Sequence, residues 1–387
     1  MTVEKHYIPL SVPNISGNEL KYVSETIETE WVSSAGTYVD RFEKEFASYI
    51  GTRFAVAVMN GTAALHISLI IAGVDQNDEV LLPNLTFVAP ANAVAYCKAI
   101  PVFVDSDWKT LGMDPACILS FIREQTVFEN GFSVNKKTGR KVKAIIPMHT
   151  LGNPVEVDAF IELCRERNIV VIEDASESLG SEYKGKKTGA LGDIACFSFN
   201  GNKIITTGGG GMITTNNEQF ARRAKHISST AKTDNIYFDH DEVGYNYRMV
   251  NVLAALGVAQ MERIDEFVEI KRKNLQLYKK QLGDHPYFYM HEEQGEGKSN
   301  CWMYSLVLKE ACPYSFHELI EIFSKEKIQV RPIWKLMCQL RMFEKYELLG
   351  NKTAFDISNR ILNIPCSTGI KKEEIERVAE VLHSLRK

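Results

Sequence analysis

The sequence predicts an α/β protein: a large domain built on a mostly parallel central sheet, followed by a smaller C-terminal α/β domain. Three observations carry this. From Phe54 to Phe199, short apolar runs alternate with helical stretches, the β-helix-β rhythm of a parallel sheet. Near Asp265 a charged helix leads away, and a second mixture of strands and helices begins. The length of 387 residues, with 45% hydrophobic and 24% charged residues, suits one large and one smaller domain.

Residues 1–20 read as an arm carrying Pro9 and Pro13. Ser16, with Glu19 three residues on, predicts a capped helix start, and the helix runs to about Thr29. Trp31 and Ser33 lie in the loop that follows. Phe54–Met59 is a strand, and Asn60-Gly61-Thr62 opens a helix over Ala63–Gly73. Free N–H groups at such a helix start attract phosphate, although Asn60 or Thr62 can equally be a plain cap. Glu79–Leu82 is a strand, Val88–Lys98 a helix and Pro101–Asp105 a strand. Residues 124–142 are polar and turn-rich, a surface hairpin or loop whose Lys136, Lys137, Arg140 and Lys141 read as a solvated face, with a nucleotide-phosphate role as the alternative. Lys143–Met148 resumes as a strand and delivers His149, either a ligand group beyond a strand end or a satisfied structural histidine. An amphipathic helix over Val155–Arg167 comes next, then strands at Ile169–Ile172 and Ile194–Phe199.

Glu218–Ser228 and Asn251–Ile264 are helical, separated by a polar stretch at 229–243 and the segment Gly244-Tyr245-Asn246-Tyr247-Arg248. These features divide the chain into an arm (1–20), a large domain (21–264) and a small domain (265–387). In the small domain, Glu269–Gln281, Ser315–Lys327 and Lys371–Leu385 read as helices, the last with Ile375, Val378, Leu382 and Leu385 on one face. Gly295–Ser299 is a connector, and Trp302–Leu308 and Ile328–Arg331 are strands. Arg331 is the local cationic candidate, suited to a carboxylate or a diphosphate.

The formal net charge is −4, with no global basic excess to suggest nucleic-acid binding. The eight cysteines are scattered, form no CxxC pair and show no metal-ligand spacing, so no metal site is expected. Several lie in apolar runs as free thiols, which fits a reducing cytoplasm. The opening MTVEKHYIPLSVP has no uninterrupted apolar core, and the apolar stretches are too short to span a bilayer.

The chemistry concentrates at 170–216. One strand ends in Glu173-Asp174. The next ends in Ser198, followed by a Gly/Asn turn, Lys203, Thr206-Thr207 and four glycines. Singly, these are a helix cap or turn former, a solvated lysine and a flexible turn. Together, with Asp174 and Lys203 only 29 residues apart, one strand connection brings them to one cleft. A lysine amine can condense with an aldehyde. A carboxylate facing a pyridine nitrogen keeps that nitrogen protonated. Hydroxyls and glycine N–H groups satisfy a phosphate. Pyridoxal 5′-phosphate needs all three.

The segments IEDASESLG, GDIACFSFNGNK and TTGGGGM resemble the nucleotide-sugar aminotransferases of the DegT/StrS group, which are fold type I enzymes dependent on pyridoxal phosphate. The resemblance extends to WVSSAGTYVDRFEKEFASYIG, NGTAALHISL, PNLTFVAPANAV and VGYNYRMVNVLAALGVAQ, most of the first 265 residues. It implies that Asp174 faces the pyridine nitrogen, Ser198 bonds the phosphate and Lys203 is the Schiff-base lysine and proton shuttle. Gly61 and Thr62 match phosphate-binding positions, and Phe87 matches an aromatic that stacks on the ring; a core phenylalanine is the alternative. Glu177 stands where glutamine or histidine is commoner, and a carboxylate there needs a proton or a donor partner. Trp31, Ser33, His149 and Arg331 are the implied substrate neighbours, although Pro-Ile-Trp follows Arg331 where many relatives carry His-Tyr. For Trp31 the alternative is ordinary packing.

Asn246 matches a residue that reaches the partner subunit's cofactor phosphate, which implies a homodimer with shared active sites. The alternative is a local loop with Arg248 in a surface ion pair. IPLSVPNISGNE and FSFNGNKIITTGGGGM resemble a subgroup that aminates C4 of a UDP-linked 4-keto-6-deoxy-N-acetylhexosamine from L-glutamate, toward legionaminic acid or bacillosamine-type sugars. Two other readings stay open: a pyridoxal-phosphate-dependent sugar dehydratase or epimerase, and a non-catalytic sugar-nucleotide-binding regulator. Lys203 disfavours the dehydratases, which replace it with histidine.

Overall fold

The computed structural model describes residues 6–234, 236–293, 295–350 and 352–385. Its centre is an eight-stranded sheet. Across it the strands follow the order Phe54–Val58, Gly211–Thr215, Ile194–Ser198, Val170–Asp174, Val142–Ile145, Glu79–Pro83, Ile100–Val104 and Leu348–Leu349. Gly211–Thr215 pairs antiparallel with both neighbours, and the other pairings are parallel. These strands read as continuous apolar runs because helices cover both faces; every residue of Glu79–Pro83 is buried. The helices Gly61–Ile71 and Ala89–Tyr96 pack on one face in a single apolar cluster with Ile172, Ile194 and Cys196. Thr37–Ile50 and Asn251–Met261 pack together in another cluster, where Phe46 meets Phe197 edge-on at 4.9 Å.

The second sheet has four strands, in the order Phe288–Met290, Tyr304–Leu308, Ile361–Ile364 and Arg331–Pro332. Its core joins Tyr278 of the Ile264–Leu282 helix to Ile375, Val378 and Leu382 of the Lys372–Ser384 helix. The chain crosses between the two sheets more than once. Ile8 of the arm bridges Ile328, and Leu348–Leu349 returns to the edge of the large sheet beside Phe103–Val104. Among the described residues, no helix is long and apolar enough to cross a membrane.

Several boundaries differ from the sequence reading. Ser16 is no cap: its hydroxyl donates to Asn14, the Glu19 carboxylate accepts the Gly17 N–H, and the helix Glu19–Glu28 begins after Asn18. The expected helix over Val155–Arg167 shrinks to a 3-10 turn at Val157–Ala159 and a short helix at Ile161–Glu166, because Phe160 adopts a non-helical φ of −131°. The surface hairpin within 124–142 is present, pairing Thr126–Glu129 with Phe132–Asn135. The connector near 297 is partly ordered as a strand, Gly297–Lys298 pairing with Glu182–Tyr183.

Candidate active site

The two apolar runs of the 170–216 stretch lie side by side and parallel, with Cys196 opposite Asp174. Parallel sheets place ligand groups beyond the carboxyl ends of their strands. Asp174 ends one strand and is only 2% exposed. Its carboxylate accepts the Ser176 N–H at 3.1 Å. Burial raises its pKa above the usual carboxylate range, opposed in part by that bond and by the more distant charge of Lys203. Among the described residues, no cation pairs with it directly.

Lys203 follows the neighbouring strand in a turn closed by its own N–H to the Asn200 carbonyl at 3.0 Å. Its Nζ donates to Glu177 Oε1 at 3.3 Å. The second Glu177 oxygen accepts the Leu151 N–H at 2.9 Å. Burial pushes the Glu177 pKa up to about 7, and the Lys203 charge works against that rise. The donor partners that an unusual carboxylate needs here are therefore Lys203 Nζ and the Leu151 N–H. Lys203 Nζ also sits 4.1 Å from the Trp302 ring centroid.

At the other end of the cleft, Asn60 caps the Gly61–Ile71 helix by accepting the Ala63 N–H at 2.7 Å. A Cβ on Gly61 would come within 2.8 Å of Ser198 Cβ, so only glycine lets the helix start approach that strand so closely. Among the described residues, the hydroxyls of Thr62 and Ser198 make no hydrogen bond within the chain. Two free hydroxyls beside a helix N-terminus suit an anion.

These groups border one cavity of about 510 Å³. Every cofactor-contact residue expected from the sequence lines it except Asn246. Phe87 is 52% exposed on the cavity wall, so it is not a core residue. Of the expected substrate neighbours, the cavity includes Arg331, which pairs through its backbone with Asn363. His149 does not line the cavity but is fully buried beside it, its backbone N–H donating to the Asp174 carbonyl at 3.1 Å. Its Nε2 lies 2.9 Å from Glu173 Oε2, and its Nδ1 accepts the Val155 N–H at 3.0 Å. Both ring nitrogens are engaged, as in a satisfied structural histidine.

Trp31 and Ser33 also lie outside this chain's cavity. Trp31 is 60% exposed, and Asn251 holds the carbonyls of both residues at 2.7 Å. Asn246 is exposed, in a segment tied to the first strand by the Val58–Arg248 bridge and by the Met59 N–H to the Tyr247 carbonyl at 2.7 Å. Leu10, Trp302, Trp334 and Asn363 line the cavity without having been expected. Each comes from a segment far from 170–216 in sequence, so no local spacing points to it.

Residues 13–383 match the DegT/DnrJ/EryC1/StrS aminotransferase family. The chain is 36% identical to the GDP-perosamine synthase of Escherichia coli O157:H7, covering 97% of this chain and 98% of that one. It is 37% identical to the putative pyridoxal phosphate-dependent aminotransferase EpsN of Bacillus subtilis, covering 97% and 95%. Identity to the UDP-4-amino-4,6-dideoxy-N-acetyl-beta-L-altrosamine transaminase of Campylobacter jejuni is 29%, over 98% and 97%. Among solved structures, the aminotransferase PseC of Helicobacter pylori superposes with a TM-score of 0.88 at 23% identity, covering 98% of this chain and 99% of that one.

Proposed function

The chain belongs to the DegT/DnrJ/EryC1/StrS aminotransferase family, and from that premise we propose that it moves an amino group from L-glutamate to C4 of a nucleotide-linked 4-keto-6-deoxy sugar, with pyridoxal 5′-phosphate as cofactor. The reading rests on one observation above all: Asp174, Glu177, Ser198 and Lys203 border a single cavity.

The residues present fit this cofactor. Among the described residues the buried Asp174 carboxylate has no direct cationic partner, and a protonated ring nitrogen would supply one. The unpartnered hydroxyls of Thr62 and Ser198 suit a phosphate, and the half-exposed Phe87 offers a face to an aromatic ring. When bound, the cofactor supplies an electron sink for the carbanion formed at the donor's α-carbon. The chain supplies the rest. Lys203 Nζ carries the proton as general acid and base. Glu177 Oε1 holds that amine on the cavity side, and Asp174 keeps a negative charge at the far end. Arg331 is exposed at the cavity and offers a bidentate site for the donor carboxylate or the sugar diphosphate.

Two substrates are supported by different observations. The segments IPLSVPNISGNE and FSFNGNKIITTGGGGM favour a UDP-linked N-acetylhexosamine, toward legionaminic acid or a related surface glycan. The 36% identity to a GDP-perosamine synthase favours a GDP-linked sugar. Lys203 speaks for transamination over dehydration in either case. The working unit in this reading is a homodimer in which Asn246 reaches the partner's cofactor phosphate. Its exposure outside its own cavity supports that placement. The eight free thiols support a cytoplasmic setting.

The test is to incubate the protein with cofactor, L-glutamate and either UDP- or GDP-linked 4-keto-6-deoxy sugar. Formation of 2-oxoglutarate together with a C4-amino sugar nucleotide supports the reading.

A further inference from the structure

The segment Asn300-Cys301-Trp302 reaches the site from the start of the small unit, and the chemistry above makes no use of it. Asn300 is fully buried. Its amide nitrogen donates to the Glu177 carbonyl at 3.0 Å and the Leu179 carbonyl at 2.9 Å, and its side-chain oxygen accepts the Trp302 N–H at 2.9 Å. A Cβ on Gly152 would collide with that oxygen, so glycine makes room for the anchor. Cys301 then turns the chain with a left-handed φ of 54°, uncommon for a non-glycine residue. Lys271, buried as well, donates from Nζ to the Trp302 carbonyl at 2.9 Å and the Cys366 carbonyl at 2.6 Å.

The backbone of Trp302 is thus fixed on both sides. Its indole is fixed too, because Nε1–H donates to the Asn202 carbonyl at 2.8 Å, one residue before Lys203. The ring face covers the Lys203 amine at 4.1 Å. The charged groups facing that amine are Glu177 at 3.3 Å and, further in, Asp174. The Trp302 ring is the aromatic face packed against the same amine.

We propose that Trp302 is a positioning residue for amino transfer: its indole N–H holds the loop ahead of Lys203, and its ring keeps the free Lys203 amine inside the cavity. This rests on the aminotransferase reading. A lysine stem has four flexible carbons, and a freed amine otherwise samples open water. Tryptophan offers the strongest aromatic face for an ammonium group. A residue that only packs the core would change the melting temperature and leave the amine's reactivity untouched.

The experiment compares W302F and W302L with the wild-type full chain. In cofactor-stripped protein, a brief pulse of acetic anhydride labels lysines, and peptide mass spectrometry gives Lys203 labelling relative to other lysines. In cofactor-loaded protein with L-glutamate alone, exchange of the donor's α-hydrogen with deuterium oxide gives the proton-transfer rate. For W302L, Lys203 labelling rises about tenfold, exchange falls about tenfold, and the KM for glutamate changes little. W302F keeps a ring and loses the N–H, and each effect is about threefold. Labelling and exchange within twofold of wild type in W302L overturn the proposal. Should W302L fail to fold, unchanged labelling in W302F overturns it. The labelling step uses neither donor nor sugar, so a wild-type protein that transfers no amine sinks the aminotransferase reading separately.

Discussion

Lys203 Nζ lies 3.3 Å from Oε1 of Glu177, a carboxylate almost wholly shut off from water. Burial pushes that carboxylate up to about 7, and the lysine restrains the rise. The folded chain therefore binds a proton at Glu177 more tightly than the unfolded chain does.

The pH dependence of stability follows. Below the ordinary glutamate range, Glu177 is protonated in both states and adds no pH dependence. As pH rises from about 4.5 to about 7, the unfolded chain releases the proton first, and stability falls across that window. Glu177→Gln removes this dependence. Denaturant melts of the cofactor-stripped protein should show wild type losing about 1–3 kcal/mol relative to E177Q between pH 4.5 and 7.5. Parallel pH profiles for the two proteins would contradict the assignment.

Among the described residues no cation pairs directly with the desolvated Asp174 carboxylate, so burying it costs the fold stability. Asp174→Asn should lower turnover by on the order of 100-fold or more. The melting temperature of the stripped protein should hold or rise, because a neutral amide is easier to bury. A large fall in melting temperature would make Asp174 a structural residue instead.

Arg331 is exposed at the cavity, and among the described residues it makes no ion pair within the chain. Arg331→Ala should raise the KM of one substrate by roughly 10- to 100-fold while kcat changes little. Steady-state kinetics with glutamate and the keto sugar varied in turn show which anion it holds. An unchanged KM for both removes it from the site.

Shared active sites predict complementation. Lys203→Ala and Asn246→Ala should each be inactive on their own. A refolded equimolar mixture should recover about one quarter of wild-type activity, because half the dimers are hybrids and each hybrid has one intact site. No recovery, with hybrids demonstrated by native mass spectrometry, would place Asn246 outside the partner's site.

The parts of this site that can be read from sequence are those that one strand connection assembles. Val170–Asp174 and Ile194–Ser198 announce themselves as apolar runs, and their parallel pairing carries Asp174 and Lys203 to one cleft. The Gly61 helix start has the same local origin. Trp302 and Leu10 reach the cavity only through folding of distant segments, and spacing within 170–216 holds no trace of them. The helix predicted over Val155–Arg167 fails for a reason of tertiary origin. His149 accepts the Val155 N–H, and Phe160 breaks the backbone before Ile161. Ser16 has the composition of a cap, yet its hydroxyl goes to Asn14, and Glu19 reaches back to Gly17.

The proposed reaction is transfer of an amino group onto a nucleotide-linked keto sugar by a chain that needs Lys203. The most direct measurement is mass spectrometry of the sugar nucleotide after incubation with cofactor, nitrogen-15 L-glutamate and UDP- or GDP-linked 4-keto-6-deoxy sugar, using wild type and Lys203→Ala in parallel. The account predicts nitrogen-15 at C4 of one sugar with the wild type and none with the variant. Labelled product from the variant at the wild-type rate would contradict it, as would a wild type that binds the cofactor and glutamate yet leaves both keto sugars unaminated.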